Sequence, residues 1–232
     1  MFSSITLLLE NDYVGMTFWL ATAIMLASTV FFFVERSDVP TKWKTSMTVA
    51  GLVTGTAFWH YLYMREAHLQ GDVTTVFRYI DWLITVPLQI VEFYLILAAV
   101  TAVSIMLFWR LLGASLVMLV FGFLGEAGLI NVTIGFIFGM AGWIYILYEI
   151  FSGEASQLNS NSRNIGGQFA FNTLRLIVTV GWAIYPIGYF IGYLGGGSNP
   201  DTVNIIYNIA DFVNKTAFGL AIWAGAKMDT KQ

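Results

Sequence analysis

Long hydrophobic stretches separated by short polar breaks run along almost the whole chain. A helix that crosses a bilayer needs about 20 mostly apolar residues, and the chain supplies such stretches repeatedly. They run approximately over residues 14–34, 46–64, 76–100, 104–124, 127–148, 176–194 and 203–226. The pattern therefore predicts an all-α protein, in which seven transmembrane helices form one bundle and residues 1–232 form a single domain.

The polar breaks predict where the helices are connected. The longer ones cover residues 35–45, 65–75, 149–172 and 195–202, whereas the third, fourth and fifth stretches follow one another closely. Pro87 and Pro186 fall inside the third and sixth stretches. Neighbouring helices in a membrane bundle tolerate such interruptions, so neither proline argues against a helix.

Composition supports lipid as the main solvent of this chain. Hydrophobic residues make up 57% and charged residues 11%, against roughly 25% charged residues in soluble domains, and the mean hydropathy is +0.72. A net charge of -3 without a long basic run argues against nucleic acid as a partner. With no cysteine and two histidines, thiolate chemistry is excluded and a metal centre is not expected.

The distribution of positive charge predicts the orientation in the membrane. Arg65 alone falls in a loop at one end of the bundle. The other end holds Arg36, Lys42, Lys44, Arg110, Arg163, Arg175, Lys227 and Lys231. By the positive-inside rule the N-terminus lies outside and the C-terminus lies in the cytoplasm. Residues 1–12 lack the basic region and the cleavage site of a signal peptide, so none is expected there.

Ionisable residues within the predicted helices are the main candidates for function. A charged side chain at a helix centre costs about 2.5 to 3.5 kcal/mol on insertion scales, so each such residue is a candidate for function by default. They are Arg78, Asp81, Glu92, Asp211 and Lys215, with His60 as a further polar group. A structural ion-pair cluster that only holds the bundle together is the alternative for these residues.

Their spacing orders these groups along the membrane normal. Eleven residues separate Asp81 from Glu92, which brings both carboxylates to nearly one helix face about 16 Å apart. Asp211 and Lys215 lie one turn apart on the last helix. With the predicted topology, Asp81 lies in the outer half, Lys215 near the midplane and Glu92 in the inner half. Arg78 and His60 share the outer half with Asp81.

Aromatic residues cluster along the helices that carry these groups. They supply flat surface enough to line a slot for a long conjugated ligand beside Lys215. They are Tyr79, Trp82, Trp143, Trp182, Tyr185, Tyr189 and Tyr207. Each of them taken alone is more often a packing residue or part of a lipid-facing belt, so only the clustering predicts a pocket.

Three stretches together resemble the microbial rhodopsins, and within them the proteorhodopsin group. They run from Arg78 through Pro87 and Gln89 to Glu92, from Trp182 to Pro186, and from Asp211 to Lys215. The resemblance covers all seven predicted helices. It implies that Lys215 forms a Schiff base with all-trans retinal. The residues that would line the retinal pocket are Tyr79, Trp82, Gln89, Trp182, Tyr185, Pro186 and Tyr207.

The resemblance also implies a light-driven outward proton pump. Asp81 would accept the proton of the Schiff base, and Glu92, alone in an apolar region and expected to be protonated at rest, would donate one from inside. Asp211 would be a second counter-ion. Arg78 would be the cation on the outward side, and His60 would contact the acceptor. The pattern of Asp81, Thr85 and Glu92 argues against the relatives that transport chloride or sodium.

Gln89 resembles the residue found in blue-absorbing members of the family. A side-chain dipole near the Schiff base would stabilise the localised ground-state charge and widen the optical gap. The resemblance further implies an integral protein of a bacterial-type inner membrane, not an enzyme, whose partners are lipid, protons, retinal and other copies of the same chain. A photosensory rhodopsin that signals to a transducer remains the alternative, and a light-independent transporter or receptor is a third hypothesis.

Overall fold

The computed structural model describes residues 11–196 and 200–230, and this part of the chain is almost entirely helical. The predicted all-α seven-helix bundle is confirmed, because α7, α8 and the π-helical turns Ile177–Gly181 and Phe190–Leu194 join into one interrupted sixth helix. The helices are α1 (Tyr13–Glu35), α2 (Lys44–Gln70), α3 (Thr75–Ala98), α4 (Ile105–Glu126), α5 (Val132–Phe151), α6 (Glu154–Asn161), α7 (Ile165–Leu176), α8 (Ile184–Tyr189) and α9 (Pro200–Thr230). The expectation that residues 1–12 contain no signal peptide concerns residues that lie mostly outside the described part of the chain. Lys231 also lies outside it.

Five of these helical stretches are long and apolar enough to cross a membrane by length and composition. They contain α1, α3, α4, α5 with α6, and the sixth helix. The other long helices, α2 and α9, carry more polar residues. Helices that are neighbours in sequence pack side by side, and α9 packs against α1, α2 and α7, which closes the bundle. We call the end where α1 begins the N-terminal end, and the end where α9 finishes the C-terminal end.

The connection predicted over residues 149–172 is mostly helical, so that prediction was wrong. It contains α6 and the first two turns of α7, which begins at Ile165 rather than near residue 176. Asn164 caps α7 by accepting a hydrogen bond from the backbone N–H of Gly167 at 2.5 Å. The early turns are rich in glycine and polar residues, which hides them from a hydropathy argument.

Two other helix ends also depart from the predicted limits. Helix α5 starts at Val132 rather than near residue 127, because Asn131 caps it by accepting from the backbone of Thr133 at 2.9 Å. Helix α2 continues to Gln70, six residues beyond the predicted end, and stops where Gly71 adopts a left-handed conformation with φ 75°. Caps and turn residues, not loss of hydrophobicity, set these boundaries.

Helices α4 and α5 approach each other more closely than side chains would allow. A Cβ atom at Gly135 would lie 2.7 Å from the Cα of Gly125, and one at Gly142 would lie 2.7 Å from the carbonyl oxygen of Ala114. Glycine at these positions lets the two backbones touch, as small residues do in membrane bundles. We call this contact the α4–α5 seam.

A polar clamp joins three segments at the C-terminal end. The carboxylate of Asp229, on α9, pairs with Lys42 at 2.7 Å and accepts a hydrogen bond from Trp43 Nε1 at 2.8 Å. The side-chain amide of Asn164 donates to the same carboxylate at 2.9 Å. The clamp therefore connects the start of α2, the start of α7 and the end of α9.

Candidate functional site

Lys215 lies inside the bundle between two carboxylates. Its side chain is 2% exposed, and both Asp81 and Asp211 are fully buried. Lys215 Nζ donates to Asp81 Oδ2 and, at 3.2 Å, to Asp211 Oδ2. The cation compensates one of the two negative charges, and removal of Lys215 would leave two buried carboxylates without their cationic partner, which is costly. The structure thus brings α3 and α9 together at the residues that the sequence singles out.

Asp211 is held by donors on three other helical segments. Tyr61 OH donates to Oδ2 at 2.9 Å, Trp82 Nε1 donates to Oδ1 at 3.0 Å, and Tyr185 OH donates to Oδ1 at 2.8 Å. Together with Lys215 these groups supply donors to both carboxylate oxygens. Asp211 is therefore strongly stabilised as an anion and fixed in position.

Asp81 has a less complete set of partners. Among the described residues its Oδ1 has no hydrogen-bond partner, and His60 Nδ1 lies 3.8 Å from it, beyond hydrogen-bonding distance. His60 Nδ1 lies 2.9 Å from the carbonyl oxygen of Thr56, which can only accept. Thr85 Oγ1 donates to the backbone carbonyl of Asp81 at 3.0 Å and not to its carboxylate. One oxygen of Asp81 is thus available for a further partner.

Arg78 points toward the N-terminal end and contacts neutral groups. Its guanidinium donates to Tyr61 OH at 3.3 Å, to Asn208 Oδ1 at 2.9 Å and to Asn204 Oδ1 at 3.1 Å. Tyr61 therefore connects Arg78 to Asp211. Tyr61 was not among the candidate residues predicted from the sequence. A buried tyrosine in an apolar helix needs a hydrogen-bond partner, and that requirement is the signal that could have found it.

Glu92 is isolated on the opposite side of Lys215. It is fully buried, and neither of its carboxylate oxygens has a hydrogen bond among the described residues. Ser46, near the start of α2, is the polar side chain close enough to interact with it. Because α3 begins at the N-terminal end, Glu92 lies about 16 Å from Asp81 toward the C-terminal end.

A cavity extends from Lys215 between α3, α4, α5, the sixth helix and α9. Its empty volume is about 750 Å³, including the part that opens outward. All eight residues expected at a cofactor line it, namely Tyr79, Trp82, Gln89, Trp182, Tyr185, Pro186, Tyr207 and Lys215. The walls also include residues that the sequence argument did not name, namely Val86, Met118, Leu119, Gly122, Glu126, Gly135, Phe136, Gly139 and Met140.

The shape and chemistry of this cavity suit a long apolar molecule joined to an amine. Lys215 and Asp211 supply a primary amine and a carboxylate at the polar end, and apart from Gln89 and Glu126 the rest of the wall consists of aromatic and aliphatic side chains and glycines. A Cβ atom at Gly122 would lie 3.0 Å from Tyr79 OH, so glycine preserves space there. Gln89 Nε2 is buried without a hydrogen-bond partner among the described residues, which leaves a dipole available to an occupant.

Comparison with known proteins agrees with this arrangement. The profile of the family described as bacteriorhodopsin-like protein matches residues 12–228. The blue-light absorbing proteorhodopsin of Gamma-proteobacterium Hot 75m4 is 60% identical over 216 residues, which are 92% of this chain and 86% of that protein. The green-light absorbing proteorhodopsin of Gamma-proteobacterium EBAC31A08 is 59% identical over 215 residues, with the same two shares.

Solved structures extend the comparison to three dimensions. Blue light-absorbing proteorhodopsin from Med12 superposes with a TM-score of 0.80 at 64% identity, covering 95% of this chain and 100% of that one. Xanthorhodopsin, described as a light-driven ion pump with dual chromophore, superposes with a TM-score of 0.83 at 25% identity, covering 97% and 96%. The resemblance inferred from the three motifs is confirmed. The chain belongs to the bacteriorhodopsin-like family of microbial rhodopsins and is similar to the proteorhodopsins over more than nine tenths of its length.

Proposed function

We propose that this protein is a light-driven proton pump of a bacterial-type inner membrane, and that it moves protons from the C-terminal end to the N-terminal end. One observation carries the proposal: the amine of Lys215 lies at the polar end of an apolar cavity, beside two carboxylates, with the isolated acid Glu92 on its other side. Relatives described as light-absorbing proteorhodopsins and as a light-driven ion pump support it.

All-trans retinal, joined to Lys215 Nζ as a Schiff base, would supply the absorption of light and the isomerisation that reorients Nζ. Trp82 and Trp182 would pack against it, and Gly122 leaves room for it. The apolar wall excludes water, so electrostatic interactions at Nζ are strong. Lys215 is the residue that would hold the cofactor.

Asp81 is the better proton acceptor of the two carboxylates. Asp211 already receives hydrogen bonds from Tyr61, Trp82 and Tyr185, so protonation would disrupt a set of donors that stabilises its charge. Asp81 contacts Nζ directly and has one oxygen without a partner among the described residues. A proton that leaves Nζ therefore goes to Asp81.

Glu92 suits the role of proton donor. An ionised carboxylate without a partner is very costly in an apolar interior, so Glu92 holds its proton at rest. It can return a proton to Nζ after Asp81 has taken one. Ser46, which interacts with this acid, lies near the start of α2 at the C-terminal end, from which the next proton would enter.

The direction of transport depends on the orientation of the bundle. Lysine and arginine residues concentrate at the C-terminal end, which places that end in the cytoplasm. Asp81 then lies on the outer side of Lys215 and Glu92 on the inner side. Each transported proton moves against a field that costs about 2.3 kcal/mol per 100 mV.

Light-induced acidification outside cells or right-side-out vesicles tests the pump. We expect Asp81→Asn to keep the visible band and abolish acidification, Glu92→Gln to slow the return of the proton at least tenfold, and Lys215→Ala to abolish the band. Glu66→Gln, an exposed position on α2, is the matched control and should pump normally. Illumination without proton movement in the native protein would remove the pump from consideration.

The second candidate is a photosensory rhodopsin, which would use the same cavity. Glu92 argues against it, because a sensor has little need of an internal proton donor. A pigment that completes its photocycle without net proton transport would favour the sensor. Failure to form any visible band with added retinal would instead favour a light-independent transporter or receptor. We also propose a homo-oligomer, by analogy with the family.

A further inference from the structure

The backbone around Trp182, in the sixth helix, departs from the regular hydrogen-bond pattern on both sides of this residue. A regular α-helix joins each N–H group to the carbonyl oxygen four residues earlier. Here the N–H of Trp182 donates to Ile177, five residues earlier, at 3.1 Å, and the N–H of Tyr185 donates to Trp182, three residues earlier, at 3.1 Å. The carbonyl groups of Val178 and Gly181 therefore lose the partners that a regular helix would give them.

Side chains of two other helices donate to these carbonyl groups. Trp143 Nε1, on α5, donates to the carbonyl oxygen of Val178 at 3.0 Å, and Asn214 Nδ2, on α9, donates to that of Gly181 at 2.9 Å. Both acceptors belong to the turn that precedes Trp182, whose buried side chain lines the large cavity. We call these two hydrogen bonds the Trp182 brackets, because together they fix the backbone that carries this side chain.

The Trp182 brackets lie on the side of the bundle from which a proton returns to Lys215. The sixth helix runs from the C-terminal end to the N-terminal end, so Trp182 lies about one turn nearer the C-terminal end than Tyr185. Tyr185 OH donates to Asp211 at the level of the charged cluster. Trp182 is therefore displaced from that cluster in the same direction as Glu92.

The return of the proton must cross an apolar region. Asp81 contacts Nζ of Lys215, whereas Glu92 lies about 16 Å from Asp81 along the same helix. Glu92 is thus far from hydrogen-bonding distance to Nζ, and neither of its carboxylate oxygens has a hydrogen-bond partner among the described residues. Water can bridge such a gap only if the packing around it loosens.

We propose that Trp143 and Asn214 are positioning residues for proton return, which limit its rate by holding the backbone at Trp182; this rests on the proposed function. In the step itself an O–H bond of Glu92 breaks and an N–H bond forms on Nζ. Neither positioning residue exchanges a proton. Their two hydrogen bonds oppose the displacement of Trp182, and so oppose the entry of water between Glu92 and Nζ.

Flash photolysis of the full-length, retinal-loaded protein tests this role. Trp143→Phe and Asn214→Leu each remove one donor and keep a side chain of similar size. We expect the return of the proton from Glu92 to be at least threefold faster in both variants. In Trp143→Phe the transfer from Nζ to Asp81 should keep its native rate, because that bracket does not involve the charged cluster.

The two variants together separate the brackets from an electrostatic effect. The amide of Asn214 also lies within hydrogen-bonding reach of Tyr185 OH, so Asn214→Leu alone could act through Asp211. Trp143 lies on another helix, and a shared acceleration therefore points to the backbone at Trp182. The matched controls are Trp109→Phe and Asn161→Leu, at exposed positions on α4 and α6, which should keep native rates.

Hydrogen–deuterium exchange tests the hold on Trp182 without any photochemistry. In protein without retinal and in protein loaded with it, amide exchange in peptides covering residues 177–185 should be at least threefold faster in Trp143→Phe and in Asn214→Leu. Both control variants should exchange at the native rate. Unchanged exchange in the two bracket variants would show that the bonds do not hold this segment, and would contradict the proposal.

A native or slower rate of proton return in either bracket variant would overturn the positioning role and leave the pump intact. Absence of proton movement in the native protein would instead overturn the pump, while the exchange measurement would still report whether the segment is held. Should Asn214→Leu form no pigment, Trp143→Phe decides the matter: acceleration supports the role, and a native rate contradicts it.

Discussion

Tyr61 shows how much of the site depends on one uncharged side chain. Its hydroxyl donates to Asp211 and accepts from Arg78, and its side chain, on α2, is fully buried. Tyr61→Phe removes both bonds and leaves a buried guanidinium group with one partner fewer. We expect a loss of about 1–3 kcal/mol of stability, measured as faster thermal bleaching of the pigment. Tyr63→Phe, at an exposed position two residues away, should bleach at the native rate.

Gln89 is the residue at which colour can be changed without altering the charged cluster. Its side-chain nitrogen is buried without a partner among the described residues, in the wall of the Lys215 cavity. Gln89→Leu removes this dipole from the retinal site, so we expect the visible band to move to longer wavelength. Gln168→Leu, on α7 outside that wall, should leave the band in place. An unmoved band in Gln89→Leu would contradict the proposed tuning.

At this scale the sequence predicts charged residues better than neutral ones. Asp81, Glu92, Asp211 and Lys215 stand out because a charge in an apolar helix is costly. Tyr61 does not, since a tyrosine in a membrane helix is more often a packing residue. Glu126 falls just past the predicted end of the fourth helix, where a carboxylate is expected to face water.

The sixth helix contains an element that hydropathy cannot reveal. The π-helical turn Ile177–Gly181 leaves backbone carbonyls that neighbouring helices must satisfy. Trp143 Nε1 donates to the carbonyl oxygen of Val178 at 3.0 Å, and Asn214 Nδ2 donates to that of Gly181 at 2.9 Å. Asn214 precedes Lys215, so the turn is attached to the residue next to the functional lysine.

Gly181 is the position at which this attachment can be tested. A Cβ atom there would lie 2.0 Å from Asn214 Oδ1, so Gly181→Ala must displace the amide. We expect a loss of about 1–3 kcal/mol from overpacking, measured by thermal bleaching. Adding Asn214→Ala should recover part of that loss, because it removes the clash.

A second substitution separates the effect of this clash from the general effect of replacing a helical glycine with alanine. At Gly113, in α4, a Cβ atom meets nothing within 4 Å. Gly113→Ala should be neutral or stabilise by about 0.5–1 kcal/mol, through reduced backbone entropy of the unfolded chain. Equal effects at the two glycines would contradict the role given to the contact with Asn214.

The existence of the seven long helices was predictable here, whereas α6 and the limits of the helices were not. Long apolar stretches located all seven long helices. The early start of the sixth helix depends on Asn164, and the late start of α5 depends on Asn131. Both are caps whose effect depends on local hydrogen bonds, which a hydropathy pattern does not contain.

The clamp at Asp229 holds the C-terminal end of the whole bundle together. Partial burial opposes ionisation, but the bonds from Lys42, Trp43 and Asn164 outweigh it and hold the pKa of Asp229 below its usual range. A lowered pKa contributes stability above the ordinary carboxyl range and loses it as pH falls. The clamp should therefore persist at neutral pH and weaken only in acid, below about pH 4.

Asp229→Ala tests the clamp at the scale of the molecule. It leaves the indole N–H of buried Trp43 without an acceptor, so we expect a loss of about 1–3 kcal/mol, measured as a lower bleaching temperature at pH 7. The difference from the native protein should shrink as the pH falls below 4. Asp72→Ala, at the opposite end of the bundle, should have little effect at either pH.

The α4–α5 seam should make one side of the cavity more rigid than the rest of the bundle. Two backbones in direct contact at Gly135 and Gly142 cannot slide without collision, so these helices behave as one stiff plate along one side of the cavity. The sixth helix, which packs beside α5, has irregular turns, and two of its carbonyl groups accept single hydrogen bonds from Trp143 and Asn214. A change of shape of a molecule in the cavity should therefore displace the sixth helix more readily than α4 or α5.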